Sequence, residues 1–131
     1  MQQKGRTVSN VILFGLNEGL ALDLQRQLRT QGVSVHSSSQ STLDECVRLF
    51  EQTRAEVVFC ASDPDCYQAL IGLIKKEKLA LHLIVVSRQP ETSDWLKALE
   101  AGATDYCAPP FDIRQIQWML DGAAKPRTFA A

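Results

Sequence analysis

Hydrophobic positions along this chain fall into short continuous apolar runs that alternate with stripes of helical period. Val11-Ile12-Leu13-Phe14 is an apolar run closed by Gly15, the pattern of a strand buried on both faces of a parallel sheet. Asn17 is placed to cap a helix carrying Leu20, Leu24 and Leu28, with Leu22 broadening the stripe and Gly32 ending it. Val33-Ser34-Val35-His36 alternates as an edge strand does. Ser41, paired with Asp44 in the manner of a capping box, opens a second helix with Leu43, Cys46, Val47 and Phe50 on one side.

The second half repeats the rhythm. Val57-Val58-Phe59-Cys60 reads as a third strand and Ala61 to Asp65 as a loop, with Pro64 suited to a first helical turn. Tyr67, Leu70, Ile71 and Ile74 mark the next helix, and Lys75, Lys76 and Lys78 suit its C-terminus. Leu81 to Val86 is a fourth strand. Trp95, Leu96 and Leu99 define a fourth helix stopped at Gly102. Asp105 to Ala108 is a short fifth strand, and Asp112 caps a last helix facing inward through Ile113, Ile116 and Leu120. Five strand–helix alternations predict an α/β fold, a parallel sheet with helices on both faces. The predicted layout is a polar extension over 1–9, one domain over 10–122, and a tail or linker stub over 123–131.

Composition narrows the function more by exclusion than by indication. The 131 residues fit one domain. A net charge of −1, with no basic stripe, gives nucleic-acid binding no electrostatic support. No apolar run approaches the ~20 residues that cross a bilayer, and Met1 to Ser9 lacks a signal peptide's apolar stretch. A cytoplasmic location and no membrane contact are therefore expected. Cys46, Cys60, Cys66 and Cys107 match no zinc spacing and read as small hydrophobes in a reducing compartment. No metal and no cofactor are expected.

Ala98 to Phe111 reads Ala-Leu-Glu-Ala-Gly-Ala-Thr-Asp-Tyr-Cys-Ala-Pro-Pro-Phe. This stretch resembles the fourth helix and fifth strand of response-regulator receiver domains, the phosphoacceptor modules of two-component signalling. The resemblance covers about 10–120 and implies a flavodoxin-like five-stranded sheet in order 2-1-3-4-5 with five helices. The family's reaction needs a carboxylate nucleophile, a divalent cation held by acids, a hydroxyl and a lysine. Carried over by position, the metal-binding acids fall on Gly15 and Leu16, the acceptor aspartate on Ala61, the hydroxyl on Ser87, the switch aromatic on Tyr106, and the lysine on Pro109. The resemblance thus supplies a fold and removes its chemistry. The family's proline falls on Pro110, with the peptide before it expected cis. A rebuilt acidic site on Asn17, Glu18 and Asp63 requires acids several ångströms beyond the sheet edge, at ~3.3 Å per extended residue. The plainer reading gives those side chains to helix starts.

Receiver domains often signal through the face of the fourth helix, fifth strand and fifth helix. Here Trp95, Tyr106 and Met119 are expected to form one patch there, with Trp118 further round; tryptophan and tyrosine are enriched among interface anchors. The competing reading packs Trp95 on a neighbour and treats Trp118 as a single exposed apolar residue. The expected function is a non-phosphorylatable pseudo-receiver without enzyme activity, binding a protein partner or a second copy of itself. The tail at Lys125-Pro126-Arg127 leaves room for an output domain in a longer parent chain. The alternative is a small-molecule-binding flavodoxin-like domain that reuses the emptied site through Gly15-Leu16-Asn17-Glu18-Gly19 at a helix N-terminus.

Overall fold

The structure is a computed structural model that describes residues 8–37, 42–88 and 92–123. Its elements follow the chain as β1 (Asn10–Phe14), α1 (Glu18–Thr30), β2 (Ser34–Ser37), α2 (Leu43–Thr53), β3 (Val57–Ala61), α3 (Pro64–Glu77), β4 (His82–Val86), α4 (Thr92–Ala101), β5 (Asp105–Cys107) and α5 (Ile113–Ala123). The sheet runs β2-β1-β3-β4-β5 with every described pairing parallel. This is the predicted order: β2 and β3 pair on opposite sides of β1, and β4 and β5 follow outward from β3. The Pro109–Pro110 peptide is cis, as expected.

Two cores lie on the two faces of the sheet. Alternate strand residues feed them, because successive side chains point to opposite faces. Val11, Leu13, Val57, Phe59, Ile84 and Val86 pack beneath α1 and α5, while Ile12, Phe14, Val58, Cys60, Leu83 and Val85 pack beneath α2, α3 and α4. The continuous apolar runs of the sequence are therefore two interleaved stripes. Val8 is buried in the first core, and the Ser9 N–H donates to Glu56 Oε1 at 2.9 Å. At the other end of the described residues Ala123 is buried as well.

Helix starts are chemically explicit. The Asn17 carboxamide accepts from Leu20 N–H at 2.9 Å, and Asp63 Oδ1 accepts from Asp65 N–H at 3.1 Å. Asp112 Oδ1 accepts from Arg114 N–H at 2.8 Å. On α2 the cap is Thr42, which accepts from Glu45 N–H. Ser41, expected in that role, lies outside the described residues, as does the tail at Lys125-Pro126-Arg127.

Two helices, α4 and α5, are rotated from their expected orientation, and α1 keeps its stripe but leaves one expected member outside it. Leu22 is exposed on α1, nearly opposite the Leu20–Leu24–Leu28 stripe. On α4 the inward residue is Ala98, fully buried, whereas Leu96 is 51% exposed and Leu99 only half-buried. Gly102, just past α4, lies close to α3: a Cβ there would stand 3.2 Å from Ile71 Cγ2. On α5, Ile116, Met119, Leu120 and Ala123 face the core and Ile113 is exposed. Dropping Ile113 and adding Met119 and Ala123 turns the stripe by about 45°, so Met119 lies inside.

Candidate functional site

Gly15, Ala61 and Ser87 follow or end β1, β3 and β4 at one edge of the sheet, where the parallel strands release their loops. A cleft of about 590 Å³ opens there, lined by Gly15, Leu16, Asn17, Leu20, Ala61, Ser62, Val86, Ser87 and Arg88. No carboxylate is among those lining residues. Four of the five positions expected to share a pocket thus do so. Pro109 does not: it lines a separate hollow with Asp23, Arg26, Gln27, Pro110 and Phe111. Phe111 is buried in the core under α1 and α5 and draws this turn toward α1.

A second hollow of about 470 Å³ shares Gly15 and Ala61 with the first and is completed by Phe14, Leu43, Asp63, Asp65, Cys66 and Ala69. The Asp63 carboxylate in it already caps α3. Among the described residues, no group of three or more His, Cys, Asp or Glu side chains is arranged to hold a metal ion.

The cleft's cation was not foreseen in the sequence. Arg88, two residues past β4, donates from Nη2 to Asn17 Oδ1 at 3.1 Å and so joins the β4–α4 loop to the cap of α1. Gly19 makes room for it, since a Cβ there would lie 3.2 Å from Arg88 Nη2. Asn17→Ala is expected to lower stability by about 1 kcal/mol through loss of the cap, read from the denaturant midpoint at unchanged m-value. An unchanged midpoint would show that the α1 cap contributes nothing.

The two switch-like residues divide. The Ser87 N–H donates to the Cys107 carbonyl at 3.0 Å. Tyr106 pairs with Val85 across the ladder and is buried in the core beneath α3 and α4. Met119 is buried in the opposite core. Tyr106 and Met119 therefore lie on opposite faces of the sheet and do not form one surface patch with Trp95.

What remains exposed is different. Trp95 is 45% and Trp118 74% exposed. The Tyr67 pKa on α3 is raised first by burial and then by the charge of Asp94 on α4. Trp95, Leu99 and Leu96 lie on the other side of Ala98 at 100° per residue, the flank of α4 turned from α3 toward β5. On α5, Gln117 and Asp121 line a hollow with Gln31 and Val33 from the α1 end, which leaves Trp118 on the side away from α1. Exposed apolar residues thus stand on α4 and α5, which cover opposite faces of the sheet.

The fold can be compared with known proteins. No protein-family model matches the chain, and no curated protein matches it by sequence. Solved structures match over most of its length. A pilus assembly-related protein of Burkholderia pseudomallei superposes with a TM-score of 0.74 at 16% identity, covering 95% of each chain. An orphan response regulator of H. pylori gives 0.67 at 20% identity over 92% of this chain and 99% of that one. An atypical orphan response regulator, whose structure revealed a phosphorylation-independent regulatory mechanism, gives 0.68 at 20% identity over 88% of this chain and 94% of that one.

Proposed function

This chain has the response-regulator receiver fold, and we propose that it is a pseudo-receiver: a domain over 10–122 that takes no phosphoryl group, catalyses no reaction of its own and works in the cytoplasm by docking proteins. The carrying observation is the cleft at the sheet edge, lined by Gly15, Leu16, Ala61 and Ser87 without a carboxylate. An alanine methyl cannot attack phosphorus, and glycine and leucine offer no oxygen side chain to a hard cation such as Mg²⁺. The nearest acid beyond β3, Asp63, is engaged as a helix cap. The atypical orphan regulator with this fold works independently of phosphorylation, and the same logic is inferred here. No helix among the described residues is long and apolar enough to cross a membrane.

The docking surface in this reading is the α4–β5–α5 side, through Trp95, Leu96 and Trp118. Tyr106 and Met119, being buried, support it from beneath rather than touching the partner. A second copy of the chain or a signalling protein would fill the role.

The direct test is incubation with acetyl phosphate and Mg²⁺ followed by intact-mass spectrometry. No phosphate-sized increment is expected. An increment on a carboxylate overturns the proposal, and its removal by Asp63→Asn would locate the acceptor.

One observation favours a second reading. The cleft's volume is within the range of small-molecule sites, and Arg88 and Asn17 set a cation and a helix N-terminus at its wall. A rise in melting temperature with a small anionic ligand, lost in Arg88→Ala, would favour a binding domain over a docking module.

A further inference from the structure

We propose that the sheet-edge cleft binds a small organic monocarboxylate with an apolar body, its carboxylate held by Arg88 and Asn17. This ligand class rests on the small-molecule reading above and names its chemistry. The cleft's volume of about 590 Å³ suits a ligand of that size. Gly15 and Ala61 add little bulk to its lining.

The polar part of the lining is made of donors. The Asn17 oxygen accepts from the Leu20 N–H at 2.9 Å and from Arg88 Nη2 at 3.1 Å. Both bonds need the oxygen, so they set which way the carboxamide points and leave its NH2 as a donor at the cleft wall. Arg88 uses an N–H on Asn17, and its guanidinium makes no ion pair among the described residues. Ser62 and Ser87 add hydroxyls. No carboxylate lines the cleft, so nothing in the lining answers the Arg88 charge. The N-terminus of α1 is not what draws the anion, because Asn17 already caps it. The draw is a cation, fixed by a capping residue at the wall of a cavity without acids.

The charge selects a monocarboxylate. Arg88 is the only formally charged residue in the lining. A carboxylate brings one negative charge at neutral pH, and its two oxygens match the guanidinium fork. A phosphomonoester brings about −1.5 to −2. Its excess charge would be opposed by Glu18, beside Asn17 in the first turn of α1, and by Asp63 and Asp65 in the adjoining hollow. The rest of the lining selects the body. Arg88 is exposed, and an ion pair on an exposed cation contributes little by itself. Contact with Leu16, Leu20 and Val86, the apolar side chains of the cleft, supplies the remainder.

The experiment titrates the full chain with phenylacetate and isovalerate and follows backbone amides in nitrogen–proton correlation spectra. Saturable shifts are expected at Gly15 to Leu20, Ala61, Ser62, Ser87 and Arg88. Phenylacetamide keeps the ring without the charge, and acetate keeps the charge without the body; each is expected to bind about tenfold more weakly or worse. Arg88→Ala is expected to weaken phenylacetate binding by about tenfold or more with the rest of the spectrum unchanged. Ala61→Asp, which sets a carboxylate in the lining, is expected to abolish it. Inorganic phosphate separates this assignment from the reading beneath it. If phosphate binds in the cleft through Arg88 and neither carboxylate does, the small-molecule reading stands and the monocarboxylate assignment falls. If no anion binds, both fall. Phenylacetamide binding as well as phenylacetate, or shifts confined to another face, overturns the assignment even if Arg88→Ala disturbs its loop.

Discussion

Phe59→Ala is expected to lower the stability of the domain by about 3–5 kcal/mol. Phe59 is fully buried at the centre of β3 and pairs in register with Leu13 of β1 and Ile84 of β4. All three point into the core beneath α1 and α5. Removing the ring leaves a void bounded by strands on both sides, which cannot close in without breaking the ladder, so the cavity cost adds to the lost transfer free energy. A domain of this size is stable by roughly 5–15 kcal/mol, so the variant is brought near the threshold of unfolding. The measurement is denaturant unfolding of both proteins. Leu96→Ala is the control: with its side chain half in solvent, its effect on the isolated domain is expected within about 0.5 kcal/mol. Equal losses at the two positions would mean that α4 faces the core through Leu96 after all.

Trp95→Ala is expected to weaken association with a partner or a second copy by about 2 kcal/mol or more, roughly thirtyfold in Kd, while the fold survives. The survival follows from burial: Ala98 holds α4 to α3, and Trp95 contributes only its inner half to the monomer. The loss of affinity follows from what the indole covers on the α4 flank, where Leu96 and Leu99 extend the same apolar surface toward β5. Sedimentation of wild type and variant, alone and with any co-purifying protein, reads the difference. Unchanged assembly would remove Trp95 as an anchor and leave Trp118, the more exposed tryptophan, as the next residue to substitute.

The fold was legible because its signals are local and redundant. Val11 to Phe14, Val57 to Cys60 and Leu81 to Val86 are apolar at nearly every position, which only a two-faced parallel strand explains, and Asn17 and Asp112 announce their helices by hydrogen bonds to residues two or three positions on. Gly15, Leu16, Ala61 and Ser87 were legible as one site for a related reason. Each lies within two residues after an apolar run or at its end, and parallel strands bring such ends to one edge of the sheet.

The failures share a cause. Sequence reading assigned each helix its inward side by the bulk of its residues, which put Leu96 and Ile113 inside and Met119 at the surface. Helix rotation is instead set by packing against the neighbouring elements, which buries the small Ala98 of α4 and leaves Leu96 half in solvent. Tyr106 and Met119 were joined in one patch because the resemblance implied a signalling face over the fourth helix, fifth strand and fifth helix, although the sheet stands between their side chains. Arg88 on Asn17 was invisible for a different reason: the contact depends on where two loops end in space. The sequence by itself determined the order of elements, the parallel sheet and the carboxylate-free cleft at its edge, because these rest on periodicity and on residue identity at strand ends. The tertiary structure alone decided which apolar residues reach solvent and which polar groups meet, because those depend on helix packing and loop closure, which no local pattern encodes.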